Sequence, residues 1–256
     1  GTKIRECFIA SEGYTMVSWD LDQIELRVLA HEANDPTMIM LLSDPDRHIH
    51  KETCSQIFGI PYHNITKDMY QYLSSKIVSF AIPYGVGAHG LQGQLAAMGI
   101  EKDLAYCKNL ITEWYKLYSK VYDYHELIKS QARMKGMVRS PLGRIRYVPG
   151  IRSTVPKIRA RCIRQAINFP IQAGAQEVLK MGMRDMWVYL GKGGIGTLVK
   201  PLLQVHDELL FEIDTPCVKA SSACVTIIPK CMENAIKLRV PIRTTMNQGQ
   251  NWSELK

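Results

Sequence analysis

Two aspartates stand where apolar runs end. Asp20 closes Tyr14-Thr-Met-Val-Ser-Trp-Asp20, and Asp207 follows Leu202-Leu-Gln-Val-His206. A carboxylate placed after a hydrophobic run is anchored by buried backbone while its oxygens face a cleft. Two such carboxylates brought together make a poor site for protons alone and a good one for Mg²⁺, which prefers hard oxygen ligands. Paired Mg²⁺ ions serve in-line displacement at phosphorus. The chemistry expected of this pair is metal-assisted phosphoryl transfer, on the condition that positions 20 and 207 converge in the fold.

Cationic groups form a second set. Tyr72, Lys76, Phe80 and Tyr84 recur every four residues and so follow one slowly drifting stripe of a helix. A lysine among aromatics suits a nucleotide, with the ammonium at phosphate and a ring against sugar or base. The same stripe also fits an aromatic core beside a snorkelling lysine. His50, with Arg47, His48 and Lys51, reads either as donors to a triphosphate or as a solvated helix start. The densest basic run holds Arg139, Arg144, Arg146, Arg152, Lys157, Arg159, Arg161 and Arg164. Such a stripe can neutralise successive phosphates without base choice, or it can be a solvated face. Asn168 and Gln172 lie one turn apart and carry both donors and acceptors suited to a duplex groove. There is no G-x-x-x-x-G-K-[ST] loop, G-x-S-x-G elbow or H-E-x-x-H motif. Gly85, Gly87 and Gly90 follow a helix rather than precede one, which disfavours a dinucleotide fold.

The elements that must position these groups come from an ordinary globular composition. The chain has 256 residues, 46% hydrophobic and 22% charged, enough for one large domain or two small ones. A net charge of +8 is compatible with a polyanionic partner. Seven cysteines without a CxxC pair predict reduced thiols in a cytosol-like compartment. The expected location is the cytoplasm of a bacterial or infected host cell, or otherwise an organelle interior. Cys217, Cys224 and Cys231, seven apart, could share one helix face, as small core residues. No apolar stretch is long enough to cross a bilayer, and no membrane association is expected. The chain begins at Gly1 rather than Met, so it is expected to be a fragment, a processed product or an edited form.

Strands are expected over Ile4–Ile9 and Tyr14–Trp19, around a turn at 11–13. A helix follows over Gln23–Glu32, ending near Asn34-Asp-Pro36, and another runs from Asp46-Arg-His-Ile-His50 to Phe58. A third starts with a capping signal near Thr66 and runs to the Pro83-Tyr84-Gly85 break. Residues 101–137 read as helical throughout. A short hairpin spans about 137–150, and a basic helix from Lys157 leads into Ala166–Leu190. Gly191–Gly196 reads as a loop, a strand pair then carries Asp207, a helix covers Val218–Lys237, and Val240–Met246 reads as a last strand. The fold class is α+β: an antiparallel sheet made from both chain ends, with a mostly helical insertion.

These motifs resemble those of the family A DNA polymerases. Asp20-Leu-Asp-Gln-Ile-Glu-Leu-Arg27 is similar to motif A, Lys76-Ile-Val-Ser-Phe80-Ala-Ile-Pro-Tyr84-Gly85 to motif B, and Val205-His206-Asp207-Glu208 to motif C. Weaker blocks follow in the same order, and the resemblance covers essentially the whole chain. It implies a palm sheet with a fingers insertion: residues 1–31 and 156–256 as palm, 32–155 as fingers, and the motif B helix at about 66–84.

The resemblance further implies template-directed DNA synthesis by a two-Mg²⁺ mechanism. Asp20, Asp207 and the Leu21 carbonyl would hold the metals, with Glu208 supporting them. Glu25 would be the steric gate against a ribose 2′-hydroxyl. Lys76 and His50 would bind the dNTP triphosphate, Phe80 would pack on its sugar, and Tyr84 would close over the nascent base pair. Arg144, Arg164, Asn168, Gln172 and His206 would contact primer-template DNA. Three positions depart from the family pattern: Tyr72 where arginine is usual, Ala81 where glycine is usual, and Asp22 where a small polar residue is common. Loss of the arginine would raise the nucleotide KM unless Lys67 or another cation substitutes. Thumb and exonuclease regions are absent from this sequence, so weak or non-processive synthesis is expected unless a separate polypeptide supplies the thumb. A lapsed nucleic-acid-binding module is the alternative, a two-metal nuclease fits the motif B helix poorly, and template choice between DNA and RNA stays open.

Overall fold

The computed structural model describes residues 2–194 and 196–255. In chain order the elements are α1 (Thr2–Arg5), β1 (Tyr14–Leu21), α2 (Ile24–Ala33), α3 (Pro36–Ser43), α4 (Ile49–Phe58), α5 (Tyr70–Ala81) and α6 (Ala88–Ala97). Then come α7 (Leu104–Leu117), α8 (Ser119–Lys135), β2 (Met137–Arg139), β3 (Ile145–Tyr147) and α9 (Pro156–Lys192). The chain closes with β4 (Val199–Val205), β5 (Glu208–Asp214), α10 (Val218–Glu233) and β6 (Thr244–Gly249). Two compact units result: Gly1–Ile24 with Ala175–Lys256, and Glu25–Gly174.

The first unit is built on a four-stranded sheet of order β4-β5-β1-β6, in which β1 pairs antiparallel with both neighbours. This is the expected α+β class, with an antiparallel sheet drawn from both chain ends. β1 is central because its residues can be buried on both faces: Met16, Val17, Ser18 and Trp19 are all buried. Alternation puts Val17, Trp19 and Leu21 on one face and Met16, Ser18 and Asp20 on the other. Helix α10 packs against all four strands, and Trp19 reaches its Cys224. On the opposite face Met16 and Leu210 pack with Leu255, Ala10 and Trp252. Cys224 and Cys231 are buried on α10, whereas Cys217 stands at its N-cap and is half-buried, so core packing accounts for two of the three and the third does not share their helix face.

The second unit is helical apart from the hairpin β2–β3. Its core centres on Trp114 and Tyr118, both with no exposed surface. The Trp114 indole N–H donates to the Ser79 hydroxyl at 3.1 Å, and the Tyr118 hydroxyl meets that of Thr53 at 2.8 Å. Burial of these polar tips is tolerated because each has a partner.

Several sequence expectations are corrected. Residues 4–9 are not a strand: Thr2–Arg5 is helical, and Ile9 makes only an isolated bridge to Asn251. Two helices were missed. α3 begins at Pro36, with Asp35 as N-cap accepting the Met38 N–H at 2.9 Å; proline at the first helical position starts a helix as readily as it ends one. α6 forms despite Gly90 and Gly93 because Leu91 and Leu95 are fully buried. The stretch 101–137 is broken at Tyr118 (φ −117°, ψ 63°) into α7 and α8. α5 starts at Tyr70 rather than Thr66, with no side-chain cap, and α10 ends at Glu233 rather than Lys237. The last strand is the polar segment 244–249; Val240 and Ile242 are buried outside it. α9 extends to Lys192, which shortens the expected loop at 191–196; Ile195 lies outside the described residues.

Candidate functional site

In the first unit the two sequence-remote aspartates converge. Asp20 pairs directly across β1 and β5 with Glu208, and the Leu21 N–H donates to the Asp207 carbonyl at 3.2 Å. Residues directly opposite in antiparallel strands point to the same face, so the Asp20 and Glu208 side chains share the face turned away from α10. Asp207 sits in the turn between β4 and β5. That turn is held by His206, whose backbone is left-handed at φ 55°, an uncommon conformation for a residue with a side chain. Its carbonyl accepts from Gln176 Nε2 at 2.9 Å and from Gln204 Nε2 at 3.0 Å. Neither glutamine was singled out in the sequence, and no motif there announces them.

The electrostatics of this cluster are unfavourable as it stands. Burial, followed by the charges of Asp207, Glu208 and Asp22, raises the Asp20 carboxyl to about 6. Asp20, Asp207 and Glu208 have no cationic side-chain partner among the described residues. Asp22 accepts the Thr245 hydroxyl at 2.7 Å, and its N–H donates to the Arg243 carbonyl at 2.9 Å. Among the described residues no three His, Cys, Asp or Glu side chains converge to enclose a metal by themselves. The donor set is thus the two carboxylates of Asp20 and Asp207 with backbone oxygen. It fits Mg²⁺, which keeps waters and substrate phosphate oxygens in its shell rather than filling it with protein ligands.

In the second unit α4 and α5 bring His50, Lys76 and Phe80 together. His50 is 2% exposed, its ring centroid lies 5.2 Å from that of Phe80 and 5.5 Å from that of His48, and its Nδ1 has no hydrogen-bond partner. Burial, then His48 and Lys76, lowers its pKa to about 3, so the imidazole is neutral at neutral pH. Lys76 and Phe80 are exposed, whereas Tyr72 on the same stripe is buried with Cys54 and Ile65. The stripe therefore divides into a core end and a solvent end, and neither of the two sequence readings covers all of it.

Tyr84 and Glu25, to which the resemblance gives separate roles, are joined: the Tyr84 hydroxyl donates to Glu25 Oε2. The turn after α5 packs against α9. Gly85 has φ 66°, a left-handed backbone that favours glycine; a Cβ there would make ordinary contact at 3.4 Å with Arg164 Cα and the Ile167 side chain. A hollow of about 440 Å³ opens beside it, lined by Val86, Gly87, His89, Gln94 and Arg164 among others. Arg164, Asn168 and Gln172 recur every fourth residue along α9, exposed or half-buried. Arg144 is exposed in the β2–β3 turn, its N–H donating to the Ser140 hydroxyl at 2.9 Å. Among the described residues no helix is long and apolar enough to cross a membrane.

Comparison with known proteins gives a consistent result. The profile of DNA polymerase family A matches residues 1–254. The chain is 37% identical over 255 residues to DNA polymerase I of Rhizobium leguminosarum, covering 99% of this chain and 24% of that protein. It is 33% identical over 256 residues to the thermostable DNA polymerase I of Thermus aquaticus, covering 100% of this chain and 29% of that one. A solved structure, the POL domain of Pol1 from M. smegmatis in complex with DNA primer-template and dNTP, superposes with a TM-score of 0.89 at 29% identity. That match covers 99% of this chain and 43% of the solved chain. The chain thus spans about a quarter of the length of these curated relatives.

Proposed function

The chain belongs to DNA polymerase family A, and from that premise we propose that it carries the palm and fingers parts of a template-directed DNA polymerase. The reaction is nucleotidyl transfer from a dNTP to a primer 3′-hydroxyl. The observation that carries the reading is the cross-strand pairing of Asp20 with Glu208 beside Asp207, three carboxylates with no cationic side-chain partner among the described residues.

Asp20, Asp207 and the Leu21 carbonyl would hold two Mg²⁺ ions, and Glu208 would deepen the negative potential at that place. When bound, such ions ease deprotonation of an attacking hydroxyl and offset charge on the departing pyrophosphate. In the second unit Lys76 would bind the dNTP triphosphate by charge. His50, neutral and with a nitrogen to spare, would act as a hydrogen-bond partner rather than a cation. Phe80 would lie against the sugar, and Glu25, fixed by the Tyr84 hydroxyl, would bar a 2′-hydroxyl. Arg144, Arg164, Asn168, Gln172 and His206 would contact primer and template. Phosphate contacts of this kind position the duplex without reading its sequence.

Long products would also need the part of the family's polymerase region that this chain does not span, on the same polypeptide or another. Single-nucleotide incorporation with Mg²⁺, beside a ribonucleotide control, tests the reading directly. Asp20→Ala should abolish incorporation and leave duplex binding largely intact; retention of incorporation in that variant would refute it, and DNA binding without incorporation by the parent chain would favour a lapsed binding module.

A further inference from the structure

The second unit gathers more positive charge around His48 than the roles above use. Lys67, Lys51 and Lys76 all lie near enough to His48 to add to the effect of burial in lowering its pKa, with Lys67 the strongest of the three. None of these lysines has an acidic partner among the described residues. The acids nearby are occupied: Glu52 takes Arg47 at 2.7 Å, Asp44 takes the same guanidinium at 3.7 Å, and Asp68 accepts from Thr66. Ring contacts order the cluster into a track. The His48 centroid lies 5.5 Å from that of His50 and 6.2 Å from that of Tyr72. The His48 N–H donates to the Tyr62 hydroxyl at 3.1 Å, and Lys51 Nζ stands 5.5 Å from the centre of the Tyr62 ring. The charge of Lys76 acts on both His48 and His50, whereas those of Lys51 and Lys67 act on His48 and not on His50, so His50 and Lys76 form one end and His48, Lys51 and Lys67 the other. Tyr72 lies buried among apolar neighbours and offers no charge.

We propose that Lys67 and Lys51, with His48 between them and His50, form a distal phosphate subsite that takes the terminal phosphate of a nucleoside polyphosphate whose inner phosphates lie at Lys76. The inference rests on the reading of Lys76 and His50 as a triphosphate clamp, and it assigns to this chain two cations outside the motif residues. Like charges left without counter-charges repel one another, and a polyanion removes that repulsion. The subsite counts phosphates: affinity gains from the third and gains again from a fourth, while a diphosphate does not reach it.

Isothermal titration of the full chain with a dNTP, its dNDP and a nucleoside 5′-tetraphosphate tests this without requiring turnover. Lys67→Ala and Lys51→Ala should each weaken dNTP binding about three- to tenfold, more steeply at low salt than at high. They should leave dNDP binding nearly unchanged, and Lys67→Arg should restore the loss. These lysines are surface groups, so the fold survives their removal. Unchanged dNTP affinity in the Lys51→Ala/Lys67→Ala double variant, with Lys76→Ala still weakened, overturns the subsite and leaves the clamp. An equal loss for dNDP and dNTP also overturns it, as general screening. If Lys76→Ala binds as well as the parent, the clamp reading fails and the subsite fails with it.

Discussion

Asp20 and Glu208 face each other across adjacent antiparallel strands, one residue from the point where the Leu21 N–H meets the Asp207 carbonyl. Like charges directly opposite on a sheet are destabilising. The sheet register thus builds a local repulsion that a divalent cation relieves.

Asp20→Asn should therefore stabilise the metal-free chain at pH 7 while removing incorporation. The gain is on the order of 1 kcal/mol once solvent screening is allowed for, read as a rise in melting temperature. A melting temperature that falls or stays level would contradict the repulsion.

The same group sets a pH response. Folded Asp20 keeps its proton to about pH 6, whereas an unfolded aspartate loses it near pH 4, about 3.9. Between those values the folded state binds more protons, so the Asp20 contribution to stability falls as pH rises from about 4 to about 6 and stays lower above. Below pH 4 both states are protonated and the contribution vanishes. Millimolar Mg²⁺ should raise the melting temperature at pH 7.5 and have little effect at pH 5; equal shifts at both values would place the metal elsewhere.

Gln176→Ala removes a donor to the His206 carbonyl and loosens a turn whose left-handed residue costs on the order of 1 kcal/mol to hold. Incorporation should slow by roughly tenfold, with kcat reduced and the dNTP KM little changed. A pure KM effect would argue that Gln176 acts on substrate instead.

Tyr84→Phe deletes the hydrogen bond to Glu25, a charge-assisted contact worth about 1.5–3 kcal/mol when dry and less in a half-buried site. Ribonucleotide incorporation should rise relative to deoxyribonucleotide in this variant, and more so in Glu25→Ala. The double variant should resemble Glu25→Ala alone, because the tyrosine acts through the glutamate.

Gly182→Ala probes the crossing of α9 and α10. An added methyl would lie 3.1 Å from Met232 Cα and 3.3 Å from the Cys231 carbonyl oxygen, both backbone atoms that cannot swing away. Overpacking costs about 1–3 kcal/mol against about 1 kcal/mol of helix propensity gained, so the net change should be destabilising. Gly191→Ala, with nothing within 4 Å, should be neutral or slightly stabilising by comparison. Denaturant titration distinguishes the two.

What could be read in advance follows from how local each cause is. Asp20 and Asp207 were legible because a strand of apolar residues ending in a carboxylate is a local pattern, and the register that joins them needs only that both strands pair. The break at Tyr118 was not legible, because no glycine or proline marks it; a fully buried side chain held at Thr53 sets it from a distance. Pro36 was misread as a stop because the capping role of Asp35 became visible only with its Met38 and Lys120 hydrogen bonds. The last strand was expected over Val240–Met246 and lies at Thr244–Gly249, because a polar edge segment has no hydrophobic alternation to mark its bounds and its pairing with β1 sets them. Gln176 was unreadable for a similar reason, since its target is a backbone carbonyl thirty positions away.

The deep placement of His50 carries one last implication. Its imidazole has given up its proton well below any acidity a living cell reaches, so this ring cannot act as an acid sensor. The ring therefore offers nucleotide a hydrogen-bond contact and no cationic pull, which leaves attraction for phosphate charge to the lysines of the cluster. A loss of turnover as the medium turns sour is then not the work of this ring gaining charge, whereas the carboxylate of Asp20, raised to about 6, does take up a proton on the way down.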